Sequence, residues 1–379
     1  MKRIIISGCF AILFLIIFCF SVSAVTDETK EIYDSQLKVS GADKLYSSLP
    51  EQTRKMLGDI GMGQLDYESV GSFDSSVIFQ KALELTAQNG KTPMSAIALS
   101  MGIMMICALF EGMDISPGNK ALGGIISSVG ALCVCTTVLI PLSSLISRSA
   151  GIINGAAGFT LIYVPIMTGL LISSGQPAAA SSYYTMLMGA SQLITQVCSR
   201  LIIPFLNVFL ALSVTSSLPS GVKISSLCDS IFKSIKWVLT FITGIFTAVL
   251  SAQTLVAASI GNVRTRALKI TVSSFVPLVG GALSDALGTF TGCLELLKSG
   301  VGVFIIIACV ITFLPVLIEC ILWRITLSVL SAVSEILGTE RIKPVFDTAS
   351  SAIAVLNAVL LCVSGVFVIS TVIILLLAK

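Results

Sequence analysis

Few side chains in this sequence have the chemistry to react or to bind a charge, and those few stand in apolar surroundings. Glu319 and Arg324 lie inside an apolar run from Ser299 to Leu330, with Pro315 four residues before the glutamate. Charge within a membrane is usually paired or lines water. A spacing of five on one helix sets two side chains about 140° apart, so Glu319 and Arg324 face different partners. For Glu319 two readings stand level: a polar path or charged inter-helix contact, or a place near the interface. Arg324, next to Trp323, reads as an interface anchor at the end of a span.

A second group lies in GNVRTRALKITVSSFVPLVGGALSDAL, residues 261–287. Arg264, Arg266 and Lys269 lead into an apolar run broken by Pro277, Gly280 and Gly281, with Asp285 behind. The segment is too interrupted for a lipid-facing helix and too apolar for a solvated loop. It is expected to be a half-inserted or re-entrant element, with protein or water satisfying its backbone.

Enzyme chemistry finds little support. The chain has no histidine, which removes His-dependent Ser or Cys dyads, the H-E-x-x-H zinc motif and imidazole metal ligands. No G-x-x-x-x-G-K-[ST] phosphate loop occurs. Cys133-Val-Cys135 lies within an apolar span and reads as core packing. Asp285 has no second intramembrane aspartate with which to form a protease dyad. Nothing points to a catalytic residue, cofactor, metal or nucleic acid.

The elements that must position these residues are membrane helices. Of 379 residues, 55% are hydrophobic and 11% charged, with a mean hydropathy of +0.99; soluble domains carry roughly 25% charged residues. No charged side chain occurs in 121–147, 149–199, 201–222, 237–263, 299–318 or 348–378, and about 20 apolar residues suffice to cross the hydrocarbon core. The fold class is therefore all-α, polytopic, with about six to eight spans, some of them broken or re-entrant.

Three domains are expected. Residues 1–24 read as a signal peptide, with Lys2 and Arg3 before an apolar Ile4–Phe20 and small residues at Val22-Ser23-Ala24; an uncleaved anchor is the alternative. Residues 25–93 carry a net charge of −4, against +5 for 94–379, and read as an exported acidic segment of one to three amphipathic helices resting on the membrane domain or a partner. Ser48-Leu49-Pro50-Glu51 resembles a capping box, and Leu49, Met56, Leu57 and Ile60 share one face. Residues 94–379 form the membrane domain. No cysteine lies in 25–93, so disulfides are not expected to organise the fold.

Within the membrane domain, spans are predicted at Thr92–Phe110, Ala121–Ser147 (ending at Arg148), Gly151–Ser173, Trp237–Ile260, Ser299–Leu330 and Ser350–Ala378. Tyr183–Leu218 is one tilted helix or two elements meeting at Arg200–Pro204, where proline removes a backbone donor. Gly151-Ile-Ile-Asn-Gly155 and Gly288-Thr-Phe-Thr-Gly292 would let a neighbouring helix approach closely, with Asn154 bonding across the first contact. The loop at 219–236 (Lys223, Lys233, Lys236) and the loop at 261–269 fall on opposite faces if 237–260 crosses once, so only one can obey the positive-inside bias.

The central segment also carries a resemblance. Thr265-Arg266-Ala267-Leu268-Lys269, then Ser274-Phe275-Val276-Pro277-Leu278-Val279-Gly280, then Leu283-Ser284-Asp285-Ala286, is similar to the stage III sporulation protein AE family, and the likeness continues through Pro315. Leu278 departs from a more usual Val, and Thr-Arg-Ala stands where Arg-Thr-Ala is expected. The resemblance implies a role in endospore formation, as a membrane subunit of a secretion or feeding channel between mother cell and forespore. Its implied partners are ring-forming and other membrane subunits, a separate ATPase, and the lipid bilayer around the forespore. The competing class is a stand-alone transporter with a solute site at helices broken near Pro204 and Pro277. Candidate functional or packing contacts are Arg266, Lys269, Pro277, Gly280, Asp285, Pro315 and Glu319.

Overall fold

A computed structural model describes residues 35–62, 75–112, 120–174, 177–216, 230–242, 244–245, 248, 280–339 and 342–376. The described residues form helices and turns, with no strand among them. After a helical turn at 35–40, the chain forms α1 (Lys44–Ser48), α2 (Glu51–Asp59), α3 (Ser75–Asn89), α4 (Lys91–Gly112) and α5 (Lys120–Ser173). Then come α6 (Pro177–Val197), a π turn (Cys198–Ile202), α7 (Ile203–Ser216), α8 (230–242), α9 (Gly280–Ile336) and α10 (Lys343–Leu376). Five described stretches are long and apolar enough to cross a bilayer: Glu84–Phe110, Ser128–Ser173, Ala180–Leu212, Gly300–Ile336 and Lys343–Val372.

The core is built on α9. Every residue from 300 to 313 is buried, as expected of a helix that is apolar all round. Its densest packing is with α10, where Phe313 and Phe367 stack with ring centroids 6.4 Å apart. The turn between them has a physical cause. Gly338 takes φ +73°, its N–H donates to the Glu335 carbonyl at 3.2 Å, and Thr339 N–H reaches the Ser334 carbonyl at 3.0 Å. This is the Schellman pattern, which needs a residue in the left-handed region. Lys343 to Glu335 (2.7 Å) and Ser331 to Asp347 (2.7 Å) clamp the same end. The periphery is different: α4 turns Leu99, Ile106, Leu109 and Phe110 outward. It meets α5 closely at Gly130, where a Cβ would collide with the Cys107 sulfur.

Several boundaries differ from the sequence expectation. The spans at 121–147 and 151–173 are one helix, α5, of 54 residues, so Arg148 sits at mid-helix and not in a break between two helices. Arg148-Ser149-Ala150-Gly151 contains no proline, and the prolines at 141 and 165 lie inside α5 without ending it. At 1.5 Å per residue, a straight helix of this length reaches about 80 Å, more than twice the roughly 30 Å hydrocarbon core. Its polar residues are accommodated by hydroxyls that donate to carbonyls one turn back: Ser149 to Leu145, Thr160 to Ala156 and Thr168 to Val164.

Arg200 and Pro204 do not separate two elements. The helix runs through a π turn, closed by Ile203 N–H on the Cys198 carbonyl, and Pro204, which has no N–H to donate, follows directly after Ile203. The span expected at Ser299–Leu330 extends to Gly280–Ile336, and that at Ser350–Ala378 begins at Lys343. The basic stretch 219–236 is helical from 230, which places Lys233 and Lys236 on α8, with Lys236 Nζ 3.9 Å from the centre of the Phe232 ring. Most of 237–260 and all of 261–269 lie outside the described residues.

The acidic segment does contain short helices that rest on the membrane domain. Leu49, Met56 and Leu57 are buried and Ile60 packs against them. The capping box does not form. Pro50 is itself the N-cap of α2 (φ −52°, ψ 144°), and the Ser48 hydroxyl donates to the Leu45 carbonyl at 2.7 Å.

Candidate functional site

Four helices converge where α5 crosses α9. Arg148 Nη2 lies 2.6 Å from Glu319 Oε1, a charge-assisted hydrogen bond. The glutamate side chain is 8% exposed and that of the arginine 55%, so the carboxylate is enclosed and the guanidinium reaches into open space. That space is a cavity of about 480 Å³. Its remaining polar wall comes from Gln52 and Thr53 on α2, Gln88 and Asn89 on α3, and Thr312 on α9.

Each element reaches this place for a local reason. Pro315 has no N–H for the Ile311 carbonyl one turn earlier, which loosens the α9 backbone where Glu319 follows by four residues. Asn89, the last residue of α3, donates its side-chain amide to the Pro315 carbonyl at 3.3 Å. Thr312 donates to the Ala308 carbonyl at 2.6 Å. A hydroxyl has one hydrogen, so in the 3.0 Å contact between Thr53 and Thr312 the donor is Thr53. That bond ties α2 to α9. Lys81 Nζ, 2.9 Å from both Asp59 and Glu84, ties the end of α2 to α3. On α5, Gly155 gives Pro50 its seat: a Cβ there would come within 3.4 Å of the proline ring.

Of the residues singled out from sequence, Pro315 and Glu319 are brought together here. Gly280 and Asp285 fall in the first turns of α9, while Arg266, Lys269 and Pro277 lie outside the described residues. Of the Gly151–Gly155 pair only Gly155 meets a close neighbour, and that neighbour is Pro50 at the start of the short α2 rather than a spanning helix; Asn154 is exposed. Gly288 and Gly292 belong to α9. Arg324 lies within α9, which continues to Ile336, and the Trp323 beside it is fully buried.

Sequence reasoning missed Arg148 as a partner for Glu319. It is the sole charged residue between 121 and 199, and that isolation was the available signal. Thr53 and Asn89 gave none.

An all-α polytopic membrane protein, with a half-buried ion pair at the crossing of two long helices, is the class that fold and site define. The chain belongs to the stage III sporulation protein AE family, whose profile matches residues 63–378. It is similar to "Stage III sporulation protein AE" of Bacillus subtilis (strain 168), with 24% identity over 292 residues, covering 74% of this chain and 70% of the relative. No solved structure matches it. Membership assigns the protein to sporulation. The matched region begins after α2.

Proposed function

We propose that this protein is a non-enzymatic integral membrane subunit of a channel complex between mother cell and forespore, working with ring-forming subunits and a separate ATPase in the membrane around the forespore. The observation that carries this reading is the family match across residues 63–378. The non-enzymatic part rests on the sequence, which offers no histidine and no G-x-x-x-x-G-K-[ST] phosphate loop. Gentle detergent extraction from sporulating cells tests the proposal: the protein is expected to co-purify with ring-forming and ATPase partners, and recovery of the protein alone overturns it.

The second reading, a stand-alone transporter, is favoured by the polar cavity at Arg148 and Glu319. The two part at this pair: Arg148→Gln combined with Glu319→Gln abolishes transport by a stand-alone carrier at unchanged protein level, whereas a channel subunit carrying the same changes still co-purifies with its partners and supports sporulation.

A further inference from the structure

We infer that the cavity bounded by α2, α3, α5 and α9 binds a compact zwitterion, a molecule with an oxyanion and a primary ammonium a few ångströms apart. A free neutral amino acid and the headgroup of phosphatidylethanolamine share this chemistry. The ion pair sets the requirement. Arg148 and Glu319 present opposite charges side by side, 2.6 Å apart at the nearest atoms, so the wall is neutral in sum and strongly dipolar. A ligand of net charge would bring an uncompensated ion into an apolar bundle, and a wholly apolar ligand would strand the polar wall. A zwitterion lying antiparallel to the pair meets both conditions, with its oxyanion on the guanidinium and its ammonium on the carboxylate.

The donors are there to do this. A guanidinium carries five N–H groups and a carboxylate about four acceptor sites, and the mutual bond recorded here uses Nη2 and Oε1. The arginine side chain is 55% exposed. The amide of Gln52 lines the same space and adds an uncharged donor and acceptor; that of Gln88 also lines it, with its nitrogen donating to Glu84 Oε1 at 2.9 Å. The volume of about 480 Å³ lies within the range of small-ligand sites, roughly 300–1,000 Å³. Gly151 leaves the wall open, since nothing stands within 4 Å of where its Cβ would be. The inference rests on this cavity and not on the channel reading; the co-purification experiment leaves it untouched in either direction.

The test uses the full chain, purified in mild detergent and washed free of lipid, with the thermal-unfolding midpoint as readout. Glycine, L-alanine, L-serine, L-glutamine and short-chain phosphatidylethanolamine are added separately at millimolar concentration. Acetate, phosphate, ethylamine and short-chain phosphatidylglycerol serve as single-charge controls. At least one zwitterion is expected to raise the midpoint saturably, by roughly 2 °C or more, and the controls are not. An amino acid or the phospholipid acting alone identifies the source. Gly151→Leu fills the space while leaving both charges in place, and is expected to keep the ligand-free midpoint while losing the shift. Arg148→Gln combined with Glu319→Gln should lose it too. The inference is overturned if no zwitterion shifts the midpoint, if acetate or phosphatidylglycerol shifts it equally, or if the shift survives in Gly151→Leu.

Discussion

Arg148 and Glu319 share one hydrogen bond but not one environment, and the difference decides what each contributes. The carboxylate is 8% exposed and the guanidinium 55%. Removing the partner of a buried charge costs far more than removing the partner of a half-solvated one. Arg148→Ala is therefore expected to destabilise by about 2–3 kcal/mol, and Glu319→Gln by less than about 1 kcal/mol, because the amide keeps an acceptor and the released guanidinium reaches open space. Thermal unfolding of the two variants in mild detergent checks the order; equal losses would contradict it. At this scale the sequence was half legible. A glutamate in an apolar run demands a partner, and that demand could be read. Which residue meets it depends on how two helices cross, 171 positions apart in the chain.

The α2 helix is held to the membrane domain by few contacts, and each can be released separately. Gly155→Leu extends a side chain into the space of Pro50, and Thr53→Val removes the donor to Thr312. Both should expose Arg54 and Lys55 to trypsin several-fold faster, with the membrane helices still resistant. Lys81 adds a pH dependence. Its hydrogen bonds to Asp59 and Glu84 raise its pKa above the ordinary lysine value of 10.5. The tether therefore contributes fully below that ordinary value and is lost as pH rises through the raised one. Tryptic cutting of α2 should accelerate in strongly alkaline solution and remain flat near neutrality. The apolar face of α2 was readable from the spacing of Leu49, Met56 and Leu57. The place where α5 failed to break was not, because a charged residue between two apolar runs reads as a loop unless something else covers it. Here Glu319 does so.

At the scale of the whole molecule, packing among the described elements is densest where α9 meets α10. Between lipid and protein there is little hydrophobic gain, so helix association rests on close packing. Phe313→Ala, at a fully buried position, should cost about 3 kcal/mol or more. Leu109→Ala, on the outward face of α4, should cost close to nothing, as resistance to denaturing detergent would report. Composition made the membrane class plain, and the charge-free run 299–318 marked the helix that became the hub. The sidedness of the basic segments is a question that composition leaves open, because two of them compete for one face. Cysteines placed at Lys223, Arg264 and Arg341 and labelled from each side resolve it: a single crossing at 237–260 labels the first two from opposite sides, a re-entrant pair from the same side.

The π turn at Cys198–Ile202 has a consequence for how this helix tolerates changes in length. A π turn holds one residue more than an α turn, so it stores a spare position. Removing the exposed Leu201 lets the turn close as ordinary α-helix while the buried faces on either side keep their alignment. Removing Leu193, equally outward-facing, swings every following residue about 100° round the axis. The first deletion should accumulate in membranes at near-normal levels and the second should not, which makes this turn the one place along Ala180–Leu212 where the chain can lose a residue without changing the surface it presents.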